Sequence, residues 1–390
     1  MNEDFFQKGI AEIIDEKSLR EKLKSGKKLR IKYGVDPTRP DIHIGHAVSM
    51  WKLKELQEAG HTVIFLIGDY TTKIGDPTGR NSTRPILTDE EIKENAKSYF
   101  DQANLILDLS KAEVRYNSEW LAELTFNDIL QIAGKFTVAQ IIERDDFEKR
   151  LKSGNDVGLH EMFYPLMQAY DSVVLKADVE FGGTDQKFNI LAGRELQKKM
   201  GQVPQDIILV KLLVGTDGKI KMSKSVDNYI GITEEPNSIF GKTMSIPDNM
   251  VIEYFNLATL LSKNEVQKIS DELHSGVNPR DIKMKLASEI VELYHGKEAA
   301  KVAKEEFINV FSNKALPSDI PEVEIEVGTY DLPSFLVNLG ACASNSEARR
   351  LIEQGGLKID ETKISDWKAQ IGVKSGMLIQ AGKMKYYRIK

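Results

Sequence analysis

Short apolar runs and helical periodicities alternate along the first half of the chain. Runs rich in β-branched residues predict strands, and stretches with apolar residues three and four apart predict helices. The strands are predicted at residues 29–35, 62–67, 177–181 and 207–213, and the helices between them at 44–59 and 186–200. This order predicts a parallel sheet with crossover helices, a Rossmann-type α/β fold.

The remaining segments follow other patterns. Helical stretches between about residues 118 and 176 interrupt the alternation and indicate an insertion. Amphipathic helices without strands, then a proline-containing stretch with alternating acidic residues, predict a helical domain and an extended linker. The domains are expected at residues 1–234 (α/β), 235–313 (helical) and 329–390 (small α+β), with the linker at 314–328.

Composition and charge narrow the class of protein. A chain of 390 residues with 41% hydrophobic and 29% charged residues fits a globular protein of two or three domains. The single cysteine, Cys342, excludes an intramolecular disulfide and a cysteine-based zinc cluster, which fits a reducing compartment. The N-terminus has no basic segment followed by an apolar one, and no apolar run approaches about 18 residues, so we expect a cytoplasmic protein.

The net charge of −6 is unevenly distributed. Residues 329–390 carry ten basic and six acidic side chains, a net charge of +4, which leaves −10 on the other residues. A polyanion should therefore prefer the C-terminal segment, although a solvated surface could have the same composition.

The segment from Asp36 to His46 lies between the first predicted strand and the first predicted helix, where open α/β sheets bind ligands. A helix N-terminus attracts anions, and Gly45 leaves room for a flat base to approach. His43 and His46 are three residues apart and project from one face of the first turn. Taken alone, the two histidines could equally be metal ligands or part of a capped surface turn.

A second motif, Lys221-Met222-Ser223-Lys224-Ser225, follows the last predicted strand. Its lysines and hydroxyls could hold a triphosphate, whereas a bare charge run is usually solvated surface. Together, and in this order on a parallel α/β pattern, the two motifs resemble the class I aminoacyl-tRNA synthetases, whose signatures stand here as His-Ile-Gly-His and Lys-Met-Ser-Lys-Ser. The resemblance covers essentially the whole chain.

The resemblance implies a reaction in which an amino-acid carboxylate attacks the α-phosphate of ATP in line, pyrophosphate leaves, and the amino acid passes to tRNA. It implies that Thr38, His43 and His46 contact the phosphates in the transition state and that Lys221 and Lys224 close over the pyrophosphate. Arg80 and Arg84, in a turn-rich polar segment, would add positive charge, or would simply be solubilising. Further contacts to ATP are implied for Asp36, Gly45, Gly183, Asp185, Met222, Ser223 and Ser225.

Residues 34–38, 75–79, 164–171 and 182–186 narrow the resemblance to the tyrosyl-tRNA synthetases. Tyr164, Gln168 and Asp171 recur at helical intervals and line one helix face, and polar groups on an inward face need a ligand or partner. The family implies that Asp76, Tyr164 and Gln168 hold the substrate ammonium group and that Asp171 accepts a hydrogen bond from the phenol hydroxyl. It also implies that Asp185 meets the ribose and Gln186 the backbone end of the substrate, with Asn117 a further match. Ordinary core packing is the alternative for Tyr164 and Gln168.

One position departs from the family pattern. Most members carry a tyrosine, the second contact to the phenol hydroxyl, where this chain has Lys32. Tyr33 is one residue later and should point to the opposite face of the strand. We therefore assign the second contact to neither residue, and an ion pair between Lys32 and Asp171 is one possibility.

The C-terminal segment resembles an S4-type RNA-binding domain, in which Arg349, Arg350 and Lys358 would contact phosphates of the tRNA. A basic face on a small appended domain is the alternative. The family also implies a homodimer built through helices around residues 125–150, and Mg²⁺ bound by ATP. Two rival functions stay open: a tryptophanyl relative, which should lack the C-terminal segment, and an inactive RNA-binding paralogue.

Overall fold

The structure, a computed structural model, describes residues 3–78, 87–311, 320–382 and 385–390. The chain divides into two compact units, Met1–Ala300 and Lys301–Lys390, and each unit is treated by itself below. Among the described residues, no helix is long and apolar enough to cross a membrane.

A six-stranded sheet forms the centre of the first unit. Its strands are β1 (Ile10–Ile14), β2 (Arg30–Val35), β3 (Thr62–Ile67), β4 (Glu113–Tyr116), β5 (Val179–Gly183) and β6 (Asp206–Val210). They lie in the order β1-β6-β5-β2-β3-β4, with β2 to β6 parallel and β1 antiparallel to β6. The predicted parallel sheet and its four predicted strands are thus confirmed, and β1 and β4 extend it at the edges.

The strand order fixes where a ligand binds. Strand β2 lies between β3, which follows it along the chain, and β5, which comes much later, so the connections leave β2 in opposite directions. In an open parallel sheet, the crevice outside the carboxyl ends of two such strands is the binding site. Here that crevice lies beyond Val35 and Gly183.

Helices cover the sheet and continue beyond it. Helix Ile44–Glu58 buries Ile44, Ala47, Val48 and Leu53, and helix Asp89–Ala103 begins at Thr88, whose capping box with Glu91 satisfies backbone donors at its start.

The other α-helices are Glu3–Gln7, Glu16–Lys24, Thr71–Ile74, Ser118–Leu121, Phe126–Ala133, Val138–Ile142, Asp145–Lys152, Tyr164–Leu175, Lys187–Lys199, Pro236–Ser245, Val251–Ala258, Lys263–His274 and Pro279–Phe311. Short 3-10 helices are Leu159–Phe163, Thr184–Gln186, Lys224–Val226 and Asp248–Met250.

The inserted helices share a hydrophobic core with strand β3 and with the helices beside it. Trp120, Ile132, Ile141 and Phe147 are buried and cluster with Leu166 of helix Tyr164–Leu175. The same helix carries three of the predicted site residues, so the insertion packs directly on the element that presents them.

The second unit is a small α+β domain, as predicted. Its strands are β7 (Glu322–Val323), β8 (Gly328–Asp331), β9 (Leu357–Ile359), β10 (Thr362–Ile364), β11 (Gln370–Val373), β12 (Leu378–Ala381) and β13 (Lys385–Ile389), with helices Leu332–Asn338 and Asn345–Glu353. The larger sheet has the order β10-β9-β12-β13-β7, and β11 pairs with β8. The segment expected as a linker contributes β7, because Val323 and Ile325 alternate with acidic residues and pack against the core of this unit.

Candidate active site

Two loops and one helix meet outside the carboxyl ends of β2 and β5. Residues 36–43 follow β2 and lead into helix Ile44–Glu58, and the turn Thr184–Gln186 follows β5. Helix Tyr164–Leu175 runs into β5 through a short connection. This arrangement brings the first predicted motif and the predicted amino-acid-binding residues to one crevice.

His43 and His46 form a stacked pair at the start of helix Ile44–Glu58. Their ring centroids are 3.7 Å apart with an interplanar angle of 18°. The backbone N–H of His43 donates to Nδ1 of His46 at 3.4 Å, so the proton of a neutral His46 ring is on Nε2. Nδ1 of His43 is buried without a hydrogen-bond partner in the described structure.

Both histidines are neutral at pH 7. Burial, with Lys224 and Lys221 nearby, lowers the pKa of His46 to about 3, and burial together with His46 and Lys224 holds the pKa of His43 well below its usual value. Neutral rings act on phosphate oxygens as hydrogen-bond donors rather than as cations. Within the part of the chain that the structure describes, no third metal-ligating side chain joins them in a group that could hold a metal ion.

The two motifs touch at Gly45. A Cβ atom there would lie 3.0 Å from Nδ1 of His43 and in ordinary contact with Cβ of Met222 at 3.6 Å, so a side chain would push the His43 ring by a few tenths of an ångström. Near them, the backbone N–H of Ile44 donates to the carbonyl of Ile230 at 3.0 Å, so the segment that follows the lysine motif is bonded to the start of the helix.

The lysine motif is anchored by its middle residues. Met222 is buried, and its backbone N–H donates to Leu213 at 2.8 Å. The backbone N–H of Ser223 donates to Oδ1 of Asn228 at 2.7 Å, and the hydroxyls of Ser223 and Ser225 lie 2.9 Å apart. These contacts hold the backbone of the loop and do not involve the side chains of its two lysines. Lys221 forms an ion pair with Asp185 at 2.6 Å.

Lys224 has a specific resting position. Its Nζ lies 5.0 Å from the centre of the Tyr99 ring and 3.4 Å from the carbonyl oxygen of Arg39. Burial lowers the pKa of Lys224 to about 8, with Asp41 acting in the opposite direction and Arg39 adding to the decrease. The ammonium group therefore starts to lose its proton just above neutral pH.

Helix Asp89–Ala103 holds the loop after β2, and the sequence did not indicate this role. Asn95 donates to the carbonyl of Pro37 at 3.0 Å, and Ser98 and Gln102 donate to that of Pro40 at 2.7 Å each. Gln102 also accepts from the backbone N–H of Ile42 at 2.7 Å. The only sequence signal was the spacing of these polar residues, which places them on one helix face.

Asp171 is the predicted acceptor for the phenol hydroxyl, and it lies on helix Tyr164–Leu175. Its carboxylate is buried and accepts from Nε1 of Trp120 at 2.8 Å and from Nδ2 of Asn117 at 3.3 Å. Burial raises its pKa to about 7, although Lys32, Trp120 and Asn117 act against that rise. Asn117 is itself fully buried and also donates to Thr71 at 3.0 Å, so its contact with the pocket is through Asp171.

Tyr164 and Gln168 lie on the same helix face as Asp171. The hydroxyl of Tyr164 donates to Oδ2 of Asp36 at 2.9 Å, which fixes the ring across the crevice. Oε1 of Gln168 is buried and has no hydrogen-bond partner in the described structure. Because buried polar atoms are nearly always paired, this oxygen marks a place for a ligand donor.

Asp76 is held by a cation that the sequence did not predict. Arg144, from the insertion, is 4% exposed and contacts Asp76 at 3.2 Å and Asp146 at 2.7 Å. Gln186 donates to Asp76 at 2.7 Å, and Thr78 donates at 2.6 Å. Burial acts to raise the pKa of Asp76, but Arg144 and these hydrogen bonds outweigh it, and the pKa falls below its usual value.

The suggested ion pair between Lys32 and Asp171 is not formed. Nζ of Lys32 instead lies 2.9 Å from Glu180, because the strand directs this side chain toward β5 and helix Tyr164–Leu175. Tyr33 hydrogen-bonds Ser49 of helix Ile44–Glu58, which confirms that the two side chains leave opposite faces of β2.

The other predicted residues are distributed as follows. Thr38 lies in the turn after β2, where its backbone N–H donates to Asp36 at 2.8 Å, and Gly183 ends β5, where a Cβ atom would lie 2.6 Å from Leu212. Arg80 and Arg84 lie outside the described residues. Arg349, Arg350 and Lys358 are exposed on the second unit, and the Arg349 guanidinium lies 4.4 Å from the centre of the Trp367 ring.

Comparisons with known proteins agree along the whole chain. The family of class I tRNA synthetases for tryptophan and tyrosine matches residues 24–312, and the SYY-like C-terminal domain of tyrosine–tRNA ligase matches residues 313–389. The tyrosine–tRNA ligase of Thermotoga maritima is 48% identical over 384 residues, which are 98% of this chain and 96% of the relative. That of Carboxydothermus hydrogenoformans is 51% identical over 373 residues, 93% of this chain and 91% of the relative. The crystal structure of a tyrosyl-tRNA synthetase from Archaeoglobus fulgidus, complexed with L-tyrosine, superposes with a TM-score of 0.64 at 26% identity, covering 78% of this chain and 100% of that one.

Proposed function

The chain belongs to the tyrosine–tRNA ligases of class I, and on that premise we propose how its side chains activate tyrosine and pass it to tRNA. Its substrates are tyrosine, ATP and tRNA. Relatives that match nearly the full chain favour tyrosine over tryptophan, and both signature motifs argue against an inactive paralogue.

The contact between the two motifs carries the proposed mechanism. Gly45 lies against His43 and Met222, so the histidine pair and the lysine loop line one space at a helix N-terminus. When the tyrosine carboxylate attacks the α-phosphate, negative charge grows on the phosphate oxygens. Neutral His43 and His46 donate hydrogen bonds to these oxygens, while Lys221 and Lys224 supply the positive charge for departing pyrophosphate.

The mechanism needs no covalent intermediate on the enzyme and no general base, since the attacking carboxylate is already ionised. Its barrier falls because both substrates are held in line and because the donors are fixed before reaction. Thr38, Arg80 and Arg84 are proposed to complete the cationic and hydrogen-bonding surroundings of the phosphates. Asp185 is proposed to bind the ribose of ATP when Lys221 leaves it for the phosphates.

We propose that the amino-acid pocket binds both the phenol hydroxyl and the ammonium group of tyrosine. Asp171 accepts the phenol hydroxyl, and its carboxylate is held for this by Trp120 and Asn117. The unpartnered Oε1 of Gln168, together with Asp76, supplies acceptors for the substrate ammonium group.

Mg²⁺ is proposed to enter with ATP. Lysines and neutral histidines lie around the proposed phosphate site, and the carboxylate of Asp185 there is paired with Lys221, which fits an ion held mainly through phosphate oxygens. Bound there, the ion would supply further positive charge to the phosphates.

We propose a homodimer formed through the inserted helices. Phe126 is 76% exposed, Leu130 is 53% exposed and Val138 is 67% exposed. Phe126 and Leu130 are four residues apart on one helix, and exposed large apolar side chains are typical of association surfaces. Replacing Phe126 by Asp should convert the protein to a monomer in sedimentation, and a dimer that persists in this variant would argue against the surface.

The division into an α/β catalytic domain, a helical domain, a linker and an S4-like tail remains our proposal, as does contact between the tail and tRNA. We also propose a cytoplasmic location, which fits the single cysteine of the chain.

Charging of tRNA tests the function directly. Labelled tyrosine and labelled tryptophan are each incubated with the protein, ATP, Mg²⁺ and bacterial tRNA, and acid-precipitable label is counted. Transfer of tyrosine alone is the expected result. Transfer of tryptophan, or of neither amino acid, would refute the function.

A further inference from the structure

A buried ion pair lies against the helix Tyr164–Leu175, which carries the predicted amino-acid-binding residues, and this inference rests on the function proposed above. We propose that Lys32 and Glu180 are positioning residues for tyrosine specificity, which keep a positive charge beside Asp171 and fix the helix that carries the pocket.

Lys32 has no exposed surface, and Glu180 is 2% exposed. Nζ of Lys32 uses its three donors on Glu180 at 2.9 Å, the hydroxyl of Ser172 at 2.9 Å and the carbonyl of Gln168 at 3.0 Å. Two of these partners come from the helix turn that carries Asp171. The cation therefore holds the turn from which the pocket residues project.

The pair belongs to a closed network. Ser172 donates to Oε2 of Glu180 at 2.9 Å, and Gln205, which is fully buried, donates to the same oxygen. Helix Lys187–Lys199 leaves space for the network at Gly193, where a Cβ atom would lie 2.9 Å from the Ser172 hydroxyl and 3.4 Å from Glu180. Every charged atom of the pair thus has its partners inside the protein.

Stability alone is a weak reason for such a pair. Taking two charges out of water costs about as much as their attraction returns, and apolar replacements of similar volume are often neutral or stabilising. The location instead relates the pair to Asp171, whose carboxylate accepts hydrogen bonds from Trp120 and Asn117 and is close enough to Lys32 and Glu180 for their charges to act on it.

The charge of Lys32 acts on Asp171 in a defined direction. Burial raises the pKa of Asp171 to about 7, Lys32 is the largest influence that lowers it, and Glu180 raises it by a smaller effect. An ionised carboxylate accepts a hydrogen bond from a phenol more strongly than its protonated form does. Lys32 therefore extends the pH range in which Asp171 can recognise the hydroxyl.

The test is a double variant, Lys32→Met with Glu180→Gln, which removes both charges and keeps the side-chain volumes. Removing Lys32 alone would leave Glu180 buried without a counter-ion, which threatens folding. The matched control is Lys22→Met with Asp206→Asn, which neutralises an ion pair of 2.9 Å at the amino end of β6, away from the carboxyl ends of the strands.

The measurements are the KM for tyrosine and the preference for tyrosine over phenylalanine in pyrophosphate exchange, both as functions of pH. Because Lys32 changes the pKa of Asp171 more than Glu180 does, the double variant should have a higher Asp171 pKa than the wild type. As the pH falls, the variant should therefore lose tyrosine binding at a higher pH. A displacement of one pH unit corresponds to about a five-fold rise in KM at pH 7. The KM for ATP should not change, and the control should behave as the wild type.

Glu180→Gln alone keeps the Lys32 charge and should shift the profile in the opposite direction. Because it leaves Lys32 buried without its counter-ion, its profile is compared only after a urea unfolding curve has shown that the variant is folded. An active wild type with unshifted profiles and unchanged amino-acid preference in the variants would overturn the proposal and leave the function intact. A wild type without tyrosine-dependent exchange would refute the function, and the ion-pair proposal with it.

Discussion

The reaction should weaken above about pH 8, where Lys224 loses its proton. Burial and Arg39 bring the pKa of Lys224 down to about 8, so its charged form is present at neutral pH and disappears as the pH rises. Above that value, kcat/KM for ATP should fall by about ten-fold for each pH unit, because only the ammonium form can attract the phosphates. Pyrophosphate exchange at saturating tyrosine, measured from about pH 6.5 to about pH 9.5, gives this profile.

Lys224→Arg is the matched variant, because a guanidinium stays charged throughout this range. Its profile should lack the alkaline decrease. Arg39→Gln should move the decrease to higher pH, since it removes a cation that lowers the pKa of Lys224. An alkaline decrease at the same pH in both variants would refute the assignment to Lys224.

Truncating the same side chain tests when its contact forms. Lys224→Ala should slow adenylate formation by about a hundred-fold to a thousand-fold, the usual loss when one charge-stabilising group is removed, while tyrosine binding changes little. Pre-steady-state rates and tyrosine titration measure the two quantities. Equal loss in both would mean that Lys224 acts on the ground state.

Three further changes have definite expected outcomes. Gly45→Ala should slow adenylate formation by up to about a hundred-fold without lowering the melting temperature much, because the new methyl group displaces the His43 ring that lies 3.0 Å from it. Arg144→Met should lower the free energy of unfolding, measured with urea, by about 1–3 kcal/mol, because it leaves two partly buried carboxylates without their counter-ion. Replacing Arg349 and Arg350 by Ala should weaken tRNA binding and leave pyrophosphate exchange unchanged. The slope of log K for tRNA against the logarithm of the salt concentration should fall in magnitude by about two. An unchanged slope would exclude phosphate contacts at these residues.

The central part of the fold could be predicted because hydrophobic periodicity is a local signal. The strand around residues 62–67 is apolar along nearly its whole length, as buried parallel strands are, and the strand around residues 29–35 has apolar side chains at Ile31, Tyr33 and Val35 on one face. Strand β1 was not predicted, since its exposed edge residues weaken the apolar signal. The expected linker contributes a strand because its apolar residues find a partner only when the C-terminal strand is in place.

Only those site residues that belong to recognisable motifs could be predicted from the sequence. His43 and Lys221 are part of contiguous signatures, whereas Arg144 reaches Asp76 from an insertion 68 positions along the chain. Hydrophobic periodicity carries no information about a contact between two residues so far apart in the sequence. The ion-pair partner of Lys32 could not be predicted from the sequence either. Glu180 becomes its partner only because β2 packs beside β5.

The most direct test of the account is the exchange of labelled pyrophosphate into ATP with tyrosine, phenylalanine or tryptophan, for the wild type and Asp171→Asn. The wild type should support exchange with tyrosine alone, and the variant should lose most of its preference for tyrosine over phenylalanine. Exchange with tryptophan, or a variant that still prefers tyrosine as the wild type does, would contradict the central claim that Asp171 selects tyrosine.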